Sequence, residues 1–160
     1  MIQLKTERCL IRPFQQSDMA RFISYRNNDV WMQHQGFKGL TQSEYEQALL
    51  KPADLKTGVQ LAIISQKADR LIGDLYLQTE GKSVWLGYTI HPDHARQGYA
   101  SEAVLGAMDY LATQGFETIK AGIAEDNTAS IELIKKLGYR FLEIEDGEAI
   151  YLYALRQVGQ

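Results

Sequence analysis

Runs of apolar and β-branched residues mark the middle of the chain and predict β-strands there. A polar stretch at 66–70 separates the first two runs and indicates a hairpin between them. His91 and Pro92 end the third run, because proline has no N–H to donate to a neighbouring strand. The three predicted strands cover residues 58–65, 71–79 and 83–90.

Apolar residues at helical spacing predict two helices in the first third of the chain. The first covers 17–27, with Ser17 as its N-cap. The sequence TQSE at 41–44 fits a capping box, so a second, short helix starts there and ends near residues 51–52. Glycines punctuate the stretch 30–39 between them, which is typical of a loop.

Strands and helices alternate in the second half of the chain. Helices at about 98–113 and 128–137 flank a strand at 118–124, and Gly138 suits the position just after the second helix. Asp146 and Gly147 form a tight-turn dipeptide between two further strands. These two strands cover 139–145 and 149–156, and an N-terminal strand over 4–14, ended by Pro13, completes the set.

These elements predict an α/β (α+β) layer fold, in which helices flank a central, mixed and mostly antiparallel sheet. Neither a repeat nor a Pro/Ser-rich linker divides the 160 residues, so we expect a single domain over residues 1–160.

Composition narrows the function classes. The net charge of −3 and the pI of about 5.6 argue against a nucleic-acid binder, which needs a basic surface. Cys9 is the only cysteine, so an internal disulfide is excluded. The sequence has neither an 18-residue apolar run nor a signal-peptide pattern at its start. We therefore expect a cytoplasmic protein without a membrane partner.

The segment 95–101 carries the first indication of chemistry, because small or flexible residues precede a helix there. First-turn N–H groups lack partners within a helix and lie at the positive end of its dipole. Gly98 and Ala100 would let an anion approach the backbone, and Arg96 can donate to two phosphate oxygens. The pattern also fits simple packing, with Gly98 as a turn residue and Ala100 against the sheet.

Two stretches together resemble the GNAT superfamily of acyl-CoA-dependent N-acetyltransferases. LGYTIHPDHARQGYASEAV at 86–104 is similar to the family's CoA-binding strand, loop and helix, with Gly98 and Ala100 on its last two signature positions. AEDNTASIELIKKLGYRFLE at 124–143 is similar to its next motif. The opening at 6–27 resembles the branch that contains the ribosomal-protein alanine acetyltransferases.

The resemblance implies a set of cofactor contacts. Acetyl-CoA would be the cosubstrate, with its arm lying where the strands at 84–90 and 118–124 part. The main-chain N–H near Ile90 would stabilise the oxyanion, and the Asn127 side chain would contact the cofactor. The cofactor-binding residues predicted on this basis are Ile90, Ala95, Arg96, Gln97, Gly98, Tyr99, Ala100, Ser101 and Asn127.

Catalytic and acceptor residues follow from the same resemblance. Ser130 matches the serine of the alanine acetyltransferase branch and is the predicted group that protonates the departing thiolate. Trp31, His34 and Tyr88 are the predicted acceptor-site residues. The base is left open between Glu102, the histidines and an ordered water. Asn127 can also serve as a helix N-cap without a ligand.

The sequence departs from the family pattern at three positions. The first signature residue is Ala95, with the positive charge one place later at Arg96. Many members have a glutamate where this chain has Trp85, and a tyrosine acid where it has Ile134.

The predicted function is acetyl transfer from acetyl-CoA to a primary amine, a peptide N-terminus or a small molecule, by direct attack in a ternary complex. Trp85 and Ile134 motivate an alternative, a CoA-binding module of the same fold without turnover. A phosphate-binding domain unrelated to CoA is a third reading. Histidine and cysteine spacing does not predict a metal site, and homodimer formation is left open.

Overall fold

The computed structural model describes residues 2–52 and 54–155, and its centre is one eight-stranded sheet. The strands are β1 (Leu4–Lys5), β2 (Cys9–Pro13), β3 (Val59–Ser65), β4 (Arg70–Glu80), β5 (Ser83–Ile90), β6 (Thr118–Ala124), β7 (Arg140–Glu145) and β8 (Glu148–Ala154). The helices are α1 (Met19–Arg26), α2 (Gln42–Leu49), α3 (Tyr99–Thr113) and α4 (Thr128–Lys136). Strand order is β1-β2-β3-β4-β5-β6-β8-β7.

All neighbouring strands in this sheet are antiparallel except β5 and β6. The prediction of a mixed, mostly antiparallel sheet flanked by helices is confirmed. Parallel neighbours need a crossover connection, and α3 supplies it between β5 and β6. This crossover brings the N-terminus of α3 close to the carboxyl end of β5.

The predicted single strand over 4–14 is wrong, because the chain turns back between β1 and β2. The Thr6 N–H donates to the Cys9 carbonyl over 2.9 Å, and the Cys9 N–H donates to the Thr6 hydroxyl over 3.0 Å. These two bonds close a tight turn and pair Leu4 with Ile11. Pro13 ends β2 as predicted.

Ser17 is not the cap of the first helix. It lies inside a short 3₁₀ turn over Gln16–Asp18, and α1 begins only at Met19. The Asp18 carboxylate accepts from the Gln15 N–H over 2.8 Å and pairs with Arg12. A carboxylate with these two partners defines the entry to the helix, and serine cannot replace it.

The other predicted boundaries hold to within about two residues, and residue 156, the predicted end of the last strand, lies outside the described residues. The capping box before α2 is present, since Thr41 accepts from the Glu44 N–H and Glu44 accepts from the Thr41 N–H. Gly138 follows α4 with a φ of +98°, which only glycine adopts readily. Asp146 and Gly147 join β7 to β8 with positive φ at both positions, as a type I′ turn requires.

Two apolar clusters cover the two faces of the sheet. An aromatic cluster of Phe14, Phe22, Tyr25, Phe37 and Tyr45 packs under α1 and α2. A larger aliphatic cluster lies under α3 and α4 and includes Val104, Ala107, Met108 and Leu111 of α3. The helices are therefore fixed on both faces, and the space between β5 and β6 stays outside the packed core.

Candidate functional site

The site forms where β5 and β6 separate. The two strands pair only between Ser83–Trp85 and Thr118–Lys120, so the rest of β5 has no partner on that side. The His91 N–H donates to the Ile72 carbonyl of β4 over 2.8 Å. Because successive N–H groups alternate sides along a strand, those of Ile90 and Tyr88 point into the gap. The predicted parting of these two strands is confirmed.

Loop side chains cover one edge of this gap. Trp31 Nε1 donates to the Ile90 carbonyl over 2.9 Å, and Gln35 Nε2 donates to the Tyr88 carbonyl over 3.4 Å. These bonds use the outward carbonyls of β5 and leave its outward N–H groups without an acceptor in the described part of the chain. The loop therefore fixes the open edge of the strand from one side.

The first turn of α3 presents a run of unused amides. Among the described residues, the six N–H groups from Arg96 to Ser101 have no acceptor, whereas the Ala95 N–H donates to Pro92 and the Glu102 N–H to Gly98. Arg96 and Gly98 both have positive φ, at +61° and +82°. Alternation between left-handed and other conformations turns consecutive N–H groups toward one side, a geometry that binds anions.

The cations near these amides differ from the sequence expectation. Arg96 is exposed and makes no bond within the described chain. Arg8, which sequence reasoning missed, donates from Nη1 to the Gln97 carbonyl over 2.9 Å and lies 4.1 Å over the Tyr99 ring. It reaches the loop from the β1–β2 turn, and that turn was predicted as continuous strand, so no local pattern indicated it.

Glu102 holds Arg8 in this position. Its carboxylate accepts from the Thr6 hydroxyl, from the Arg8 N–H over 2.8 Å and from Arg8 Nε over 2.6 Å. Burial opposes ionisation, but these hydrogen bonds outweigh it and lower the pKa of Glu102. A carboxylate with all these donors is a poor base, so Glu102 is a structural tether rather than a proton acceptor.

A cavity of about 480 Å³ extends from the gap toward α4. It brings together many of the residues singled out in the sequence. Its lining includes Trp31, His34, Tyr88, Ile90, Ala100, Asn127 and Ser130. Trp31 and His34 thus share a cavity with Asn127 and Ser130, and His34 Nδ1 lies 3.2 Å from the exposed Asp126 carboxylate.

Ser130 and Tyr88 are bonded to each other inside this cavity. The Tyr88 hydroxyl and Ser130 Oγ are 2.6 Å apart, and burial raises the pKa of Tyr88. Asn127 accepts from the Ser130 N–H over 3.3 Å, so it caps α4 as the alternative reading expected. The Asn127 Nδ2 group remains available because only Oδ1 takes part in the cap.

A second cavity, which we call the acceptor-side cavity after the role proposed for it below, lies across β5 and measures about 430 Å³. Its lining residues come from α1, the loop, α2 and β3 to β5: Arg26, Gln35, Phe37, Ala48, Leu49, Lys51, Thr57, Gly58, Gln60, Tyr76, Gly87 and Tyr88. Gln35 and Tyr88 line both cavities. Two compounds bound one on each side would therefore meet beside Tyr88.

A buried ion pair lies beneath the acceptor-side cavity. Arg26 Nη2 donates to Asp74 over 2.5 Å, and the two side chains are 3% and 0% exposed. Asp74 also accepts from the Tyr25 hydroxyl and from Gln60 Nε2. This network fixes β4 against α1 and sets the shape of the cavity floor.

Replacing Asp74 with asparagine is expected to lower the free energy of unfolding by about 3–5 kcal/mol, because the buried Arg26 charge loses its partner. Urea unfolding measures the loss. Asp109→Asn, on the exposed face of α3, is the control and should change stability by less than about 0.5 kcal/mol. A loss below about 1 kcal/mol for Asp74→Asn would contradict a fully desolvated Arg26.

The two histidines before α3 remain uncharged. His94 Nε2 lies 2.9 Å from Arg21 Nη2, which can only donate, so this nitrogen carries no proton. Burial, followed by the Arg21 charge, lowers the pKa of His94 and of His91. The His91 ring nitrogen Nδ1 accepts from the Asp93 N–H. Both side chains support the loop rather than point into either cavity.

Two of the three departures from the family pattern, Trp85 and Ile134, lie away from both cavities. Trp85 is in the paired part of β5 and donates to Glu80 over 3.0 Å. Ile134 is fully buried in the aliphatic cluster. Any proton transfer at the junction of the cavities therefore depends on other groups, and Ser130 and Tyr88 are two hydroxyls that lie there.

The acetyltransferase (GNAT) domain family model matches residues 8–140. The chain belongs to the GNAT acetyltransferase family. This match confirms the resemblance and the prediction of an N-acetyltransferase. The match spans β2 through α4, and so includes the strand gap, the unused amides of α3 and both cavities.

Similar proteins agree with this family membership. The chain is 27% identical over 145 residues to the uncharacterized N-acetyltransferase YoaA of Bacillus subtilis, covering 86% of this chain and 82% of that protein. A GNAT-family acetyltransferase structure from Bacillus anthracis superposes with a TM-score of 0.83 at 22% identity, covering 96% and 98% of the two chains. Spermidine N-acetyltransferase from Vibrio cholerae, in complex with CoA and spermine, has a TM-score of 0.78 at 16% identity, covering 92% and 95%.

Two further features of this GNAT chain bear on its chemistry. Residues 2–52 and 54–155 contain no group of three or more histidine, cysteine, aspartate or glutamate side chains that could hold a metal ion. The same residues form no helix of the length and hydropathy needed to span a membrane.

Proposed function

We propose that this chain transfers the acetyl group of acetyl-CoA to a primary amine by direct attack in a ternary complex. The observation that carries the proposal is the run of unused amides from Arg96 to Ser101 beside a strand gap where two cavities meet. A thioester held in one cavity and an amine in the other would react beside Tyr88.

The α3 loop is the proposed diphosphate site of CoA. Its unused N–H groups and the Arg8 charge suit two adjacent phosphates, and each charge-assisted bond contributes about 1.5–3 kcal/mol. Gly98 keeps the approach open, since its backbone has no side chain and adopts a φ of +82°. Residues 96–101 would bind mainly through the backbone, and the Ala95 N–H is already bonded to Pro92, so alanine at the first signature position would leave the site intact.

The gap between β5 and β6 is the proposed site of the pantetheine arm. Acetyl-CoA supplies an activated acyl group there as a thioester. The Ile90 N–H points into the gap and is positioned to donate to the carbonyl oxygen as negative charge develops on it. In comparable sites, one such donor lowers the reaction barrier by about 2.7–4 kcal/mol. Asn127 Nδ2 is the proposed donor to the amide groups of the arm.

Ser130 is the proposed acid that protonates the departing thiolate, and Tyr88 is its hydrogen-bond partner. The 2.6 Å bond would let Ser130 recover a proton through Tyr88 after transfer, and Tyr88 would in turn take a proton from solvent, which has received the proton of the amine. Positioning two reactants on either side of Tyr88 supplies much of the remaining rate, since effective molarities reach about 10⁵–10⁸ M. We propose that an ordered water, rather than a side chain, removes the amine proton.

The test is acetyl-CoA turnover with a panel of peptide N-termini, polyamines and aminoglycosides, followed by release of the CoA thiol. Thiol release with at least one amine, and CoA binding in calorimetry, is the expected result. Tight CoA binding without release on any amine would instead support the binding module without turnover. A thermal shift with CoA that exceeds those with dephospho-CoA and ADP would count against a general phosphate-binding domain.

Arg8→Gln is expected to weaken CoA binding about tenfold, the equivalent of about 1.4 kcal/mol, because a partly exposed cation is lost beside the diphosphate. Isothermal titration calorimetry measures the change in Kd. Glu102→Gln is the matched control, since it breaks the same ion pair but keeps the Arg8 charge. Equal weakening by both variants would mean that the ion pair orders the loop and that Arg8 contacts no phosphate.

A further inference from the structure

The acceptor-side cavity has an unusual charge for a site that binds an amine. Its described lining contains two cations, Arg26 and Lys51, and no carboxylate. The remaining polar lining groups are neutral amides and hydroxyls, those of Gln35, Thr57, Gln60, Tyr76 and Tyr88. A polycationic amine would find no counter-charge among these residues.

The nearest buried acid pairs with Arg26, so Lys51 alone gives the described lining its net positive charge. Asp74 lies beneath the floor with its two oxygens taken by Arg26, Tyr25 and Gln60. Its negative charge is neutralised by Arg26 at 2.5 Å. Arg26 Nη1 donates to the Phe37 carbonyl, whereas its Nε–H is buried without an acceptor. The floor thus keeps one unused donor, and the exposed Lys51, two residues after α2, has no carboxylate partner among the described residues.

We propose that the acceptor-side cavity binds a primary amine whose far end carries a carboxylate, and that it disfavours amines with a second positive charge. This inference rests on the proposed function, because it assigns the acceptor of the same site. The amine end would lie beside Tyr88 and the thioester, and the carboxylate would lie toward Lys51 and the neutral amide groups of the wall.

The same charge arrangement favours the reactive form of the amine. Nearby positive charge destabilises an ammonium group and so lowers its pKa. An amine beside Tyr88 also leaves water, and this desolvation lowers its pKa in the same direction as the charge of Lys51. This effect fits a site in which the described lining offers no carboxylate to act as base.

The test compares three compounds of equal chain length that differ only in the charge of the far end: 5-aminopentanoate, pentylamine and 1,5-diaminopentane. Their Kd values for the CoA-saturated protein are measured by saturation-transfer NMR, which does not need turnover. We expect 5-aminopentanoate to bind at least fivefold more tightly than 1,5-diaminopentane, with pentylamine between them. Equal affinities, tighter binding of the diamine, or no binding of any of the three would overturn the proposal.

A charge reversal at Lys51 tests whether the carboxylate end of the amine binds in this cavity. In Lys51→Glu the order of the three compounds should invert, with the diamine gaining at least fivefold over the amino acid. Lys67→Glu, in the exposed β3–β4 turn, makes the same change of charge away from the cavity and should leave the order as in the wild type. An unchanged order in Lys51→Glu, or an inversion in both variants, would overturn the assignment to this cavity.

The two hypotheses fail in different ways. If acetyl transfer does not occur with any amine of the panel but the three affinities follow the expected order, the proposed function fails and the charge preference stands. If transfer proceeds and the diamine is bound as tightly as the amino acid, the function stands and the acceptor class is wrong.

Discussion

Gly98→Glu is expected to abolish measurable CoA binding. The substitution places bulk and a negative charge among the unused amides of α3, where the diphosphate would lie. Two lost charge-assisted bonds, at about 1.5 kcal/mol or more each, correspond to a loss of more than about a hundredfold in affinity. Calorimetric titration with CoA measures it, and circular dichroism checks that the helix content is kept.

Backbone strain is the competing cause of such a loss, and a matched variant separates the two. Gly98 has a φ of +82°, so any side chain there costs conformational energy, and an added Cβ lies 3.3 Å from Arg8 Nη2. Gly115 has a φ of +86° with open space around it, at the other end of α3. Gly115→Glu should therefore lose similar stability and keep CoA affinity. Wild-type affinity in Gly98→Glu would refute the diphosphate site.

Ser130→Ala is expected to lower kcat about a hundredfold with little change in the KM for acetyl-CoA, because general acids contribute about 10²–10⁴ to rate. The Tyr88 hydroxyl would then lose its partner at 2.6 Å. Steady-state kinetics with the best amine of the panel measures the effect, and the CoA Kd serves as control. Unchanged kcat would remove Ser130 from the mechanism.

Tyr88→Phe and the double variant show whether the two hydroxyls act as one unit. If Ser130 recovers its proton through Tyr88, the double variant should be no slower than Ser130→Ala alone. If the two single-variant losses in kcat multiply in the double variant, the two hydroxyls have independent roles, and Tyr88 contributes only to the shape of the two cavities.

The elements that the sequence predicted well are those with strong local signals. The TQSE capping box, Gly138 after α4 and the Asp146-Gly147 turn each satisfy a local backbone requirement, and each is where the pattern indicated. The first strand was wrong because the turn at Thr6 depends on a side-chain bond to Cys9 that resembles no standard turn signal. The prediction of Ser17 as the cap was wrong because Asp18 instead accepts from the Gln15 N–H and pairs with Arg12 at the end of β2.

The candidate site likewise contains residues that the sequence could indicate and residues that it could not. Residues 95–101 were singled out by the small residues before a helix, and Asn127 and Ser130 by the family resemblance, because each lies within one contiguous motif. Arg8 could not be found in this way, since it reaches the α3 loop through a pairing with Glu102, 94 positions away in sequence. The acceptor-side cavity could not be predicted from the sequence either, because six separate segments form its lining.

The short pairing of β5 with β6 has a consequence for how the molecule opens. Three residue pairs are the only ladder that joins β1–β5 to β6–β8 in the described sheet. Rupture of that ladder divides the sheet into two intact pieces, so local unfolding has a natural boundary there. A molecule lying across the gap touches both pieces and raises the free energy of this opening. Amide hydrogen exchange along the boundary therefore reports occupancy of the gap, independently of any catalytic turnover.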